Sequence, residues 1–195
     1  MWKYRTPGIP DDMFERAEKI PITKEEIRAI QISKARLSPE DIVYDIGCGS
    51  GSVTTEAGLQ AHSGRIFAVD VNPQAVELTK RNLEKFTVRN VEVITGDALG
   101  VIGSLPKADS IFIGGTGNKT ADIIRVCEGQ LRSGGRIIIG VIQIETLAAV
   151  IDTLKGLKFE SVDITQITVA KSRKTSTGTM MLARNPVTVI SATRM

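Results

Sequence analysis

The stretch Asp45-Ile46-Gly47-Cys48-Gly49-Ser50-Gly51 decides the fold class of this 195-residue chain. An apolar run precedes it, and a segment with helical spacing follows it. Glycines are needed where a chain turns tightly and a ligand must approach the backbone without Cβ atoms in the way. The next apolar run ends at Asp70, where a carboxylate can accept hydrogen bonds from both hydroxyls of a ribose. The pattern predicts a strand, a loop and a helix that bind an adenosine ligand; the alternative is a glycine turn with two capping acids.

From residue 41 onward, short β-branched runs alternate with longer amphipathic segments, which is typical of an α/β fold with a parallel sheet. The runs are nearly continuous in apolar character, as in strands that are covered on both faces. The predicted strands are Ile42 to Ile46, Arg65 to Asp70, Val91 to Thr95, Ser110 to Ile113 and Arg136 to Ile142. The predicted helices between them are Ser52 to Ala61, Pro73 to Phe86 and Lys119 to Leu131.

The pattern changes after residue 145. A helix from about Thr146 to Leu157 leads to two further strands, Phe159 to Val169 and Thr179 to Val189. The loop Lys171 to Gly178 between them is too short for a crossover helix, so these strands must be antiparallel neighbours. We therefore predict a Rossmann-like, seven-stranded sheet, parallel except for a C-terminal hairpin, with helices on both faces. The apolar segment Val187 to Ala192 either finishes this sheet or meets a neighbouring subunit.

The segment before the sheet contains one helix signal. Residues 23 to 26, Thr-Lys-Glu-Glu, have the spacing of a capping box, in which the Thr hydroxyl and the Glu carboxylate satisfy free N–H groups at a helix start. A helix from Lys24 to about Arg36 is predicted to follow. The sequence has no internal repeat, low-complexity tract or linker, so we predict a single domain. Its parts are a helical extension (1–40), a ligand-binding core (41–145), and a C-terminal helix and hairpin (146–195).

The composition is that of an ordinary globular domain, 42% hydrophobic and 24% charged. The net charge of +3 does not indicate a nucleic-acid partner, and one Trp and two Tyr offer little for base stacking. Cys48 and Cys127 form no CxxC pair and have only His62 as an imidazole partner, so we expect no protein-bound metal. No apolar run approaches the roughly 20 residues of a membrane span, and no signal-like segment is present. We expect a cytoplasmic protein without a membrane partner.

Details of the loop distinguish between adenosine ligands. A nicotinamide dinucleotide fingerprint reads GxGxxG, but Ser52 occupies the position of its third glycine. The negative charge of Asp45 would repel a pyrophosphate and suits a ligand ammonium. S-adenosylmethionine carries an ammonium and a sulfonium and no phosphate, so it fits the loop better. Asp97, in the Gly-Asp-Ala after the third strand, lies at the sheet edge where open α/β folds bind ligands and is placed to contact adenine.

This combination resembles the class I S-adenosylmethionine-dependent methyltransferases, and the resemblance covers about residues 40 to 145. In that family the glycine loop holds the methionine end of the donor, the acid after the second strand holds the ribose, and the Gly-Asp-Ala motif flanks adenine. The resemblance therefore implies these cofactor-binding residues: Asp45, Gly47, Cys48, Gly49, Ser50, Gly51, Asp70, Asp97 and Ala98. It also implies that Thr23, the capping residue, sits over the cofactor.

A narrower resemblance spans nearly the whole chain. Its motifs are Gly8-Ile-Pro-Asp-Asp12, Pro21-Ile-Thr-Lys-Glu-Glu-Ile-Arg28, Gly114-Gly115, Ile144-Glu-Thr146, Gly178-Thr-Met-Met181 and Asn185-Pro186. They are similar to those of the decarboxylating precorrin C15-methyltransferases of cobalamin biosynthesis, in the stand-alone form of the anaerobic pathway. The resemblance implies methylation at C15 of cobalt-precorrin-6B, loss of CO₂ from its C12 acetate to give cobalt-precorrin-7, and a homotetramer. Cobalt would then be carried by the anionic tetrapyrrole substrate.

The turn after the fourth strand is the candidate site for the acceptor. Gly114, Gly115 and Gly117 remove side-chain bulk there, so the turn has room for a large flat substrate and bare N–H groups for its carboxylates. The alternative is a flexible turn in which Thr116 or Asn118 caps the next helix. For catalysis we expect placement to dominate over strong acid–base chemistry. Glu145 is the candidate for proton handling, with Thr116 and Asn118 as orienting groups; the alternative for Glu145 is a helix cap.

Four cations near the C-terminus are candidates for binding the substrate's carboxylates. They are Lys171, Arg173 and Lys174 in the predicted hairpin loop, and Arg184 after it. The alternative is a solvated loop whose charges protect a sheet edge from aggregation. Two other functions stay open at this point. One is a class I methyltransferase that acts on RNA or protein, and the other is a non-catalytic domain that binds S-adenosylmethionine.

Overall fold

The structure is a computed structural model that describes residues 2–195. Its strands are β1 Ile42–Ile46, β2 Arg65–Asp70, β3 Val91–Thr95, β4 Ala108–Ile113, β5 Leu131–Val141, β6 Phe159–Ile167, β7 Ala170–Lys174, β8 Thr179–Ala183 and β9 Val187–Arg194. Its helices are α1 Glu25–Ala35, α2 Ser52–Gln60, α3 Pro73–Phe86, α4 Ala98–Val101, α5 Thr120–Gln130 and α6 Ile144–Lys155. Seven strands form one sheet in the order β3-β2-β1-β4-β5-β9-β6, and β7 and β8 form a separate ribbon.

The strand pairs confirm the predicted mixed sheet. β1 is parallel to β2 and β4, β2 is parallel to β3, and β4 is parallel to β5. β9 is antiparallel to both of its neighbours, β5 and β6. The fifth strand begins at Leu131 and not at Arg136, because Leu131 pairs with Ala108 across an irregularity in the ladder. Gly134, with φ of +79°, lies in that irregularity. In the sequence alone, the segment around Gly134 looks like a turn.

Apolar side chains cover both faces of the sheet, as the continuous apolar runs predicted. Val43 and Ile138 belong to the core on one face, beneath α1 and α2. Tyr44 and Ile139 belong to the core on the other face, beneath α5 and α6. Because successive residues of a strand point to opposite faces, neighbouring positions of β1 and β5 serve the two cores. None of the helices in residues 2–195 is both long enough and apolar enough to cross a lipid bilayer.

The C-terminal hairpin is present but is interrupted. β6 pairs with β9 up to Ile167 opposite Val187, and the chain then continues outward as the ribbon β7–β8. The predicted single strand from Thr179 to Val189 is therefore wrong. It breaks before Val187, where Pro186 has no N–H to donate to a ladder. The segment Val187 to Ala192 finishes the sheet as part of β9.

The predicted capping box at the start of α1 is also wrong. The N-cap residue is Lys24, and it makes no side-chain capping bond. The N–H of Glu25 instead donates to Oδ1 of Asp11, at 2.9 Å. A carboxylate distant in sequence thus satisfies a free N–H group at the start of the helix, and local spacing could not reveal it.

A buried ion pair fastens the N-terminal segment to the sheet. Arg28 of α1 is fully buried, and its Nε lies 2.6 Å from Oε1 of Glu56 in α2. Arg28 also donates to the carbonyl oxygens of Ile9 and Thr23. Glu56 in turn accepts hydrogen bonds from the N–H groups of Gly8 and Ile9, at 2.9 and 2.8 Å. The pair therefore joins the N-terminal strand-like segment, α1 and α2 in one network.

Candidate active site

The glycine loop between β1 and α2 is packed so closely that a Cβ has no space at two positions. Gly47 has φ of +77°, and a Cβ there would lie 1.8 Å from the carbonyl oxygen of Gly114. Gly51 has φ of +73°, and a Cβ there would lie 2.7 Å from Cγ2 of Thr79 in α3. Only glycine adopts this left-handed backbone at little cost. The loop is consequently made of bare peptide groups wedged between the end of β4 and α3.

The two carboxylates beside the loop have different environments. Asp70, at the end of β2, accepts hydrogen bonds from the N–H groups of Gly49 and Asn72, both at 2.9 Å. Asp45 is buried behind the loop and accepts a hydrogen bond from the hydroxyl of Thr54. Burial raises the pKa of Asp45 to about 6, and the charge of Asp70 acts in the same direction. Asp70 lines the smaller cavity and Asp45 lines neither of the two, so the charge of Asp45 can reach a ligand only across the loop.

Two adjoining cavities open at the carboxyl ends of the parallel strands. The smaller, of about 210 Å³, is lined by Asp70, Asp97 and Ala98 among others. The larger, of about 520 Å³, lies over the ends of β4 and β5 and against α1. Gly47 and Thr116 line both cavities. One extended ligand can therefore pass from one cavity to the other across the bare glycine loop.

Asp97 and Lys119 are charged residues that line the smaller cavity. Asp97 caps α4 by accepting a hydrogen bond from the N–H of Leu99, at 3.2 Å, and it forms an ion pair with Lys119 Nζ at 2.8 Å. The hydrogen bond from Lys119 lowers the pKa of Asp97. Among residues 2–195, Lys119 is the one cation that lines this cavity, and it is already paired, so the cavity offers little to a pyrophosphate. S-adenosylmethionine, which has no phosphate, fits this arrangement.

A comparison of the sequence with protein families identifies the chain. The profile of the precorrin methyltransferase domain matches residues 12–194. The chain belongs to this family. S-adenosylmethionine is accordingly the co-substrate that the fold and the family indicate, as the resemblance implied.

Relatives of this precorrin methyltransferase match it over nearly their whole length. A protein of Saccharolobus solfataricus named "probable cobalt-precorrin-6B C(15)-methyltransferase (decarboxylating)" is 45% identical over 193 residues, which are 97% of each chain. The crystal structure of a precorrin-6y C5,15-methyltransferase from Geobacter metallireducens superposes with a TM-score of 0.91 at 37% identity, covering 99% of this chain and 100% of that one. The structure of precorrin 8W decarboxylase from Methanobacterium thermoautotrophicum gives a TM-score of 0.90 at 35% identity, covering 96% and 100%.

The structure separates the three residues that the sequence suggested for catalysis. Thr116 lines both cavities, and its hydroxyl is 2.8 Å from that of Thr120. Asn118 lines the smaller cavity. Glu145 lies in the first turn of α6 with its side chain in solvent, and it lines neither cavity. The structure therefore brings Thr116 and Asn118 to the cavities and does not bring Glu145 to them.

The four candidate cations divide into two paired and two unpaired side chains. Lys171 Nζ lies 2.8 Å from Oε2 of Glu25 and 2.5 Å from Oε1 of Glu26. Arg184 Nη1 lies 3.4 Å from Oε2 of Glu26. These pairs fasten the ribbon to the N-terminus of α1. Arg173 and Lys174 are exposed and have no ion pair within residues 2–195. All three ribbon cations lie on β7 and not in a loop, so the predicted loop position was wrong.

The sequence analysis missed the face of α1 that walls the larger cavity. Lys24, Ile27 and Gln31 line it together with Thr23, and Lys24 is the one charged residue among its lining residues. Burial lowers the pKa of Lys24. The spacing i, i+3, i+7 places such residues on one face of a helix. That spacing was available in the sequence, but Gln31 looks there like a solvent-facing residue. Within residues 2–195, no group of three or more His, Cys, Asp and Glu side chains is placed to hold a metal ion.

Binding of S-adenosylmethionine is expected to weaken as the pH falls through about 6. The carboxyl of Asp45 is then protonated, and the loop loses the negative charge that favours the ligand ammonium. Loss of one such attraction weakens binding by about tenfold. Calorimetric titrations at about pH 8 and about pH 5 measure this change. The D45N variant serves as the control, because its affinity should be low and should vary much less with pH; equal pH slopes for both proteins would contradict the assignment.

The same carboxyl group, that of Asp45, lowers the stability of the folded protein when it is charged. Burial raises the pKa of this carboxyl in the folded protein above its ordinary value of 3.8, so folding favours the protonated form. Asp45 therefore costs stability above about pH 6, and this cost disappears as the pH falls toward 4. Without ligand, D45N should accordingly be more stable than the wild type at neutral pH and equal to it near pH 4.

Proposed function

We propose that this protein transfers a methyl group from S-adenosylmethionine to C15 of cobalt-precorrin-6B and removes CO₂ from the C12 acetate, giving cobalt-precorrin-7. One observation carries the proposal. A bare glycine loop joins an adenosine-sized cavity to a second, larger cavity in a chain that matches, over 97% of its length, a relative named for this reaction. The reaction belongs to the anaerobic route of cobalamin biosynthesis that the sequence resemblance implied.

The two cavities divide the ligands between them. The smaller cavity, with Asp70 and Asp97, suits the adenosine of the donor. The larger cavity borders Gly47, Cys48 and Gly49 on one side and the end of β5 on the other. Cavities of about 300–1,000 Å³ enclose a drug-sized ligand. The larger cavity, of about 520 Å³, therefore accommodates the methionine end of the donor and one edge of a tetrapyrrole, and the rest of the macrocycle lies outside.

Placement and exclusion of water are the main work of the side chains. The bound donor supplies an electrophilic methyl group, whose transfer discharges a sulfonium. Ile113, Ile139 and Val141 give the larger cavity an apolar floor, which favours a transfer that removes charge. Gly114 and Gly115 leave the edge of the sheet free of side-chain bulk, so a flat acceptor can approach the donor closely. Thr116, which lines both cavities, offers a hydroxyl group that orients the acceptor, and Asn118, which lines the smaller cavity, offers its amide to the donor.

The test of the proposal is turnover under anaerobic conditions. We expect S-adenosylhomocysteine to form with cobalt-precorrin-6B as the acceptor and not with tRNA or with a protein mixture. Methyl transfer to tRNA or protein would instead support the broader class I activity. Binding of S-adenosylmethionine without transfer to any acceptor would support a non-catalytic domain. A matched reaction with metal-free precorrin-6B shows whether cobalt in the substrate is required.

Arg173 is expected to contribute to substrate binding, and Lys174 is not. Arg173 shares a ribbon face with Lys171, which contacts the N-terminus of α1 beside the larger cavity. Lys174 points to the opposite face. R173Q should weaken binding of the anionic tetrapyrrole by about two- to fivefold at low salt, and less at high salt. Affinity for S-adenosylmethionine should not change. K174Q is the matched control. Equal losses of tetrapyrrole affinity in both variants would show that the ribbon contributes to binding only through its net charge.

The remaining properties belong to the same proposal. We infer a homotetramer in the cytoplasm, without a resident metal ion and without a nucleic-acid partner. The exposed side chains on β8 support association of subunits, because the ribbon carries apolar groups on both faces: Met180 and Leu182 on one face, and Met181 on the other. The low aromatic content, 4%, supports the absence of a nucleic-acid partner.

A further inference from the structure

Gln31 is a buried polar residue in the wall of the larger cavity. It lies on α1, is 6% exposed and lines the larger cavity. Its Oε1 is buried and has no hydrogen-bond partner within residues 2–195. A buried amide normally has its hydrogen bonds satisfied, because an unsatisfied one costs stability. A side chain that stays unsatisfied at a cavity wall, despite this loss of stability, is available to form a hydrogen bond with a ligand.

The strand beneath Gln31 is built to admit its amide. Gly140 of β5 lies directly under the side chain, and a Cβ on Gly140 would lie 2.6 Å from Nε2 of Gln31. A separation below 3.0 Å cannot be accommodated without movement. Gly140 has an ordinary strand conformation, so its lack of a side chain is not explained by backbone geometry. The glycine makes the space in which the amide lies.

The sheet order places Gln31 on the acceptor side of the site. Gly47, in the donor-binding loop, follows β1, and β4 lies between β1 and β5. Two strand spacings of about 4.8 Å separate β1 from β5, so Gly140 is roughly 10 Å from the loop across the sheet. Lys24, the charged residue of the cavity wall, is seven positions away on α1, or about 10 Å along the helix axis. Gln31 is therefore distant from both the donor loop and the cavity's cation.

The surroundings of the amide define what it can bind. Ile27 and Val187 line the cavity on the same face of the sheet as Gln31, and their side chains offer no hydrogen bonds. The proposed acceptor presents carboxylates around its edge, and the NH₂ of an amide is a neutral donor to a carboxylate oxygen. A half-turn of the terminal torsion exchanges the amide nitrogen and oxygen, so either can face the ligand. A neutral donor holds a carboxylate in place without the strong stabilisation of its charge that Arg or Lys would give.

On the basis of the proposed function, we propose that the side-chain amide of Gln31 binds the acetate carboxylate that the substrate loses. Among the carboxylates of the acceptor, this one benefits from a neutral donor in apolar surroundings, because it is lost as CO₂. In the loss of CO₂, the bond between the acetate methylene and its carboxyl carbon breaks. The bonding electrons pass to the methylene carbon and the conjugated macrocycle, a proton from water completes the methyl group, and CO₂ leaves. The apolar surroundings favour this step, because it removes a buried negative charge.

The test compares binding of the substrate with binding of the product, which lacks this carboxylate. The variant is Gln31→Met, which keeps the shape of the side chain and removes its hydrogen-bonding groups. We expect its affinity for cobalt-precorrin-6B to fall by about ten- to a hundredfold, and its affinity for cobalt-precorrin-7 to stay within about twofold of the wild type. Affinity for S-adenosylmethionine should also be unchanged. Gly140→Ala should reproduce the result with Gln31 intact, because the added methyl group displaces the amide.

The outcomes separate this inference from the function on which it rests. Equal losses of affinity for substrate and product, or no loss for either, would overturn the role of Gln31. Failure of the wild-type protein to bind or methylate cobalt-precorrin-6B would overturn the proposed function. Folding does not confound the comparison, because removal of an unsatisfied buried amide should leave the melting temperature of Gln31→Met equal to or above that of the wild type.

Discussion

Replacement of Gly47 by alanine is expected to weaken binding of S-adenosylmethionine by on the order of a hundredfold or more. The new Cβ would lie 1.8 Å from the carbonyl oxygen of Gly114, so the backbone of the loop or of the facing turn must move. The left-handed φ of +77° adds strain of about 1 kcal/mol or more for a residue with a Cβ. The glycine loop and the facing turn both line the junction of the two cavities. Their displacement should therefore weaken binding of the donor and of the acceptor.

Gly129→Ala is the matched control for this variant. Gly129 lies in α5, and a Cβ there would contact nothing within 4 Å. The substitution should leave affinity unchanged and should stabilise the helix by up to about 1 kcal/mol. Calorimetric titration of both variants with S-adenosylmethionine measures the difference. A G47A protein that binds the donor within about threefold of the wild type would show that the close packing of the loop is not required.

Removal of the Arg28 side chain is expected to be the most destabilising single change in the N-terminal half. Arg28→Leu leaves Glu56 buried and without its cation, a change that costs about 3–5 kcal/mol in comparable buried pairs. For a chain of this size, such a cost lowers the melting temperature by about 10 °C. The double variant R28L/E56Q should recover part of the loss, because no unpaired charge then stays buried.

The exposed pair Arg65–Glu92 provides the control for this measurement. Its side chains are largely in solvent and 3.2 Å apart, so Arg65→Leu should cost about 1 kcal/mol or less. Thermal unfolding of R28L, R28L/E56Q and R65L gives the comparison. Similar melting temperatures for R28L and R65L would contradict the role of the buried pair. Because Arg28 also holds the carbonyl of Thr23, the R28L protein should lose donor affinity along with stability.

The parts of the fold that were predictable depend on local signals. The strand before Gly47 and the helix that begins at Pro73 could be located because apolar runs, glycines and an N-cap Asn72 act over a few residues. The observed cap of that helix is a hydrogen bond from the N–H of Gln74 to the side chain of Asn72, at 3.0 Å. The parallel pairing of the first five strands followed from the alternation of strands and helices.

The features that were not predictable depend on contacts between distant residues. The cap of α1 comes from Asp11, and the partner of Arg28 is Glu56, which lies in another helix. The sequence around Gly134 looks like a turn, but pairing with a neighbouring strand makes it an irregularity within β5. Gln31 is polar and lies in a helix with other polar residues, so only the structure shows that it is buried over Gly140.

The most direct test of the proposed function follows an isotopic label from donor to product. The protein is incubated anaerobically with cobalt-precorrin-6B and with S-adenosylmethionine that carries a ¹³C-methyl group, and the corrinoid product is analysed by mass spectrometry. The proposed reaction predicts a product that carries one labelled methyl group and lacks one carboxyl group. One molecule of CO₂ and one of S-adenosylhomocysteine should form for each molecule of this product. An unlabelled product, or a labelled product that retains every carboxyl group, would contradict it.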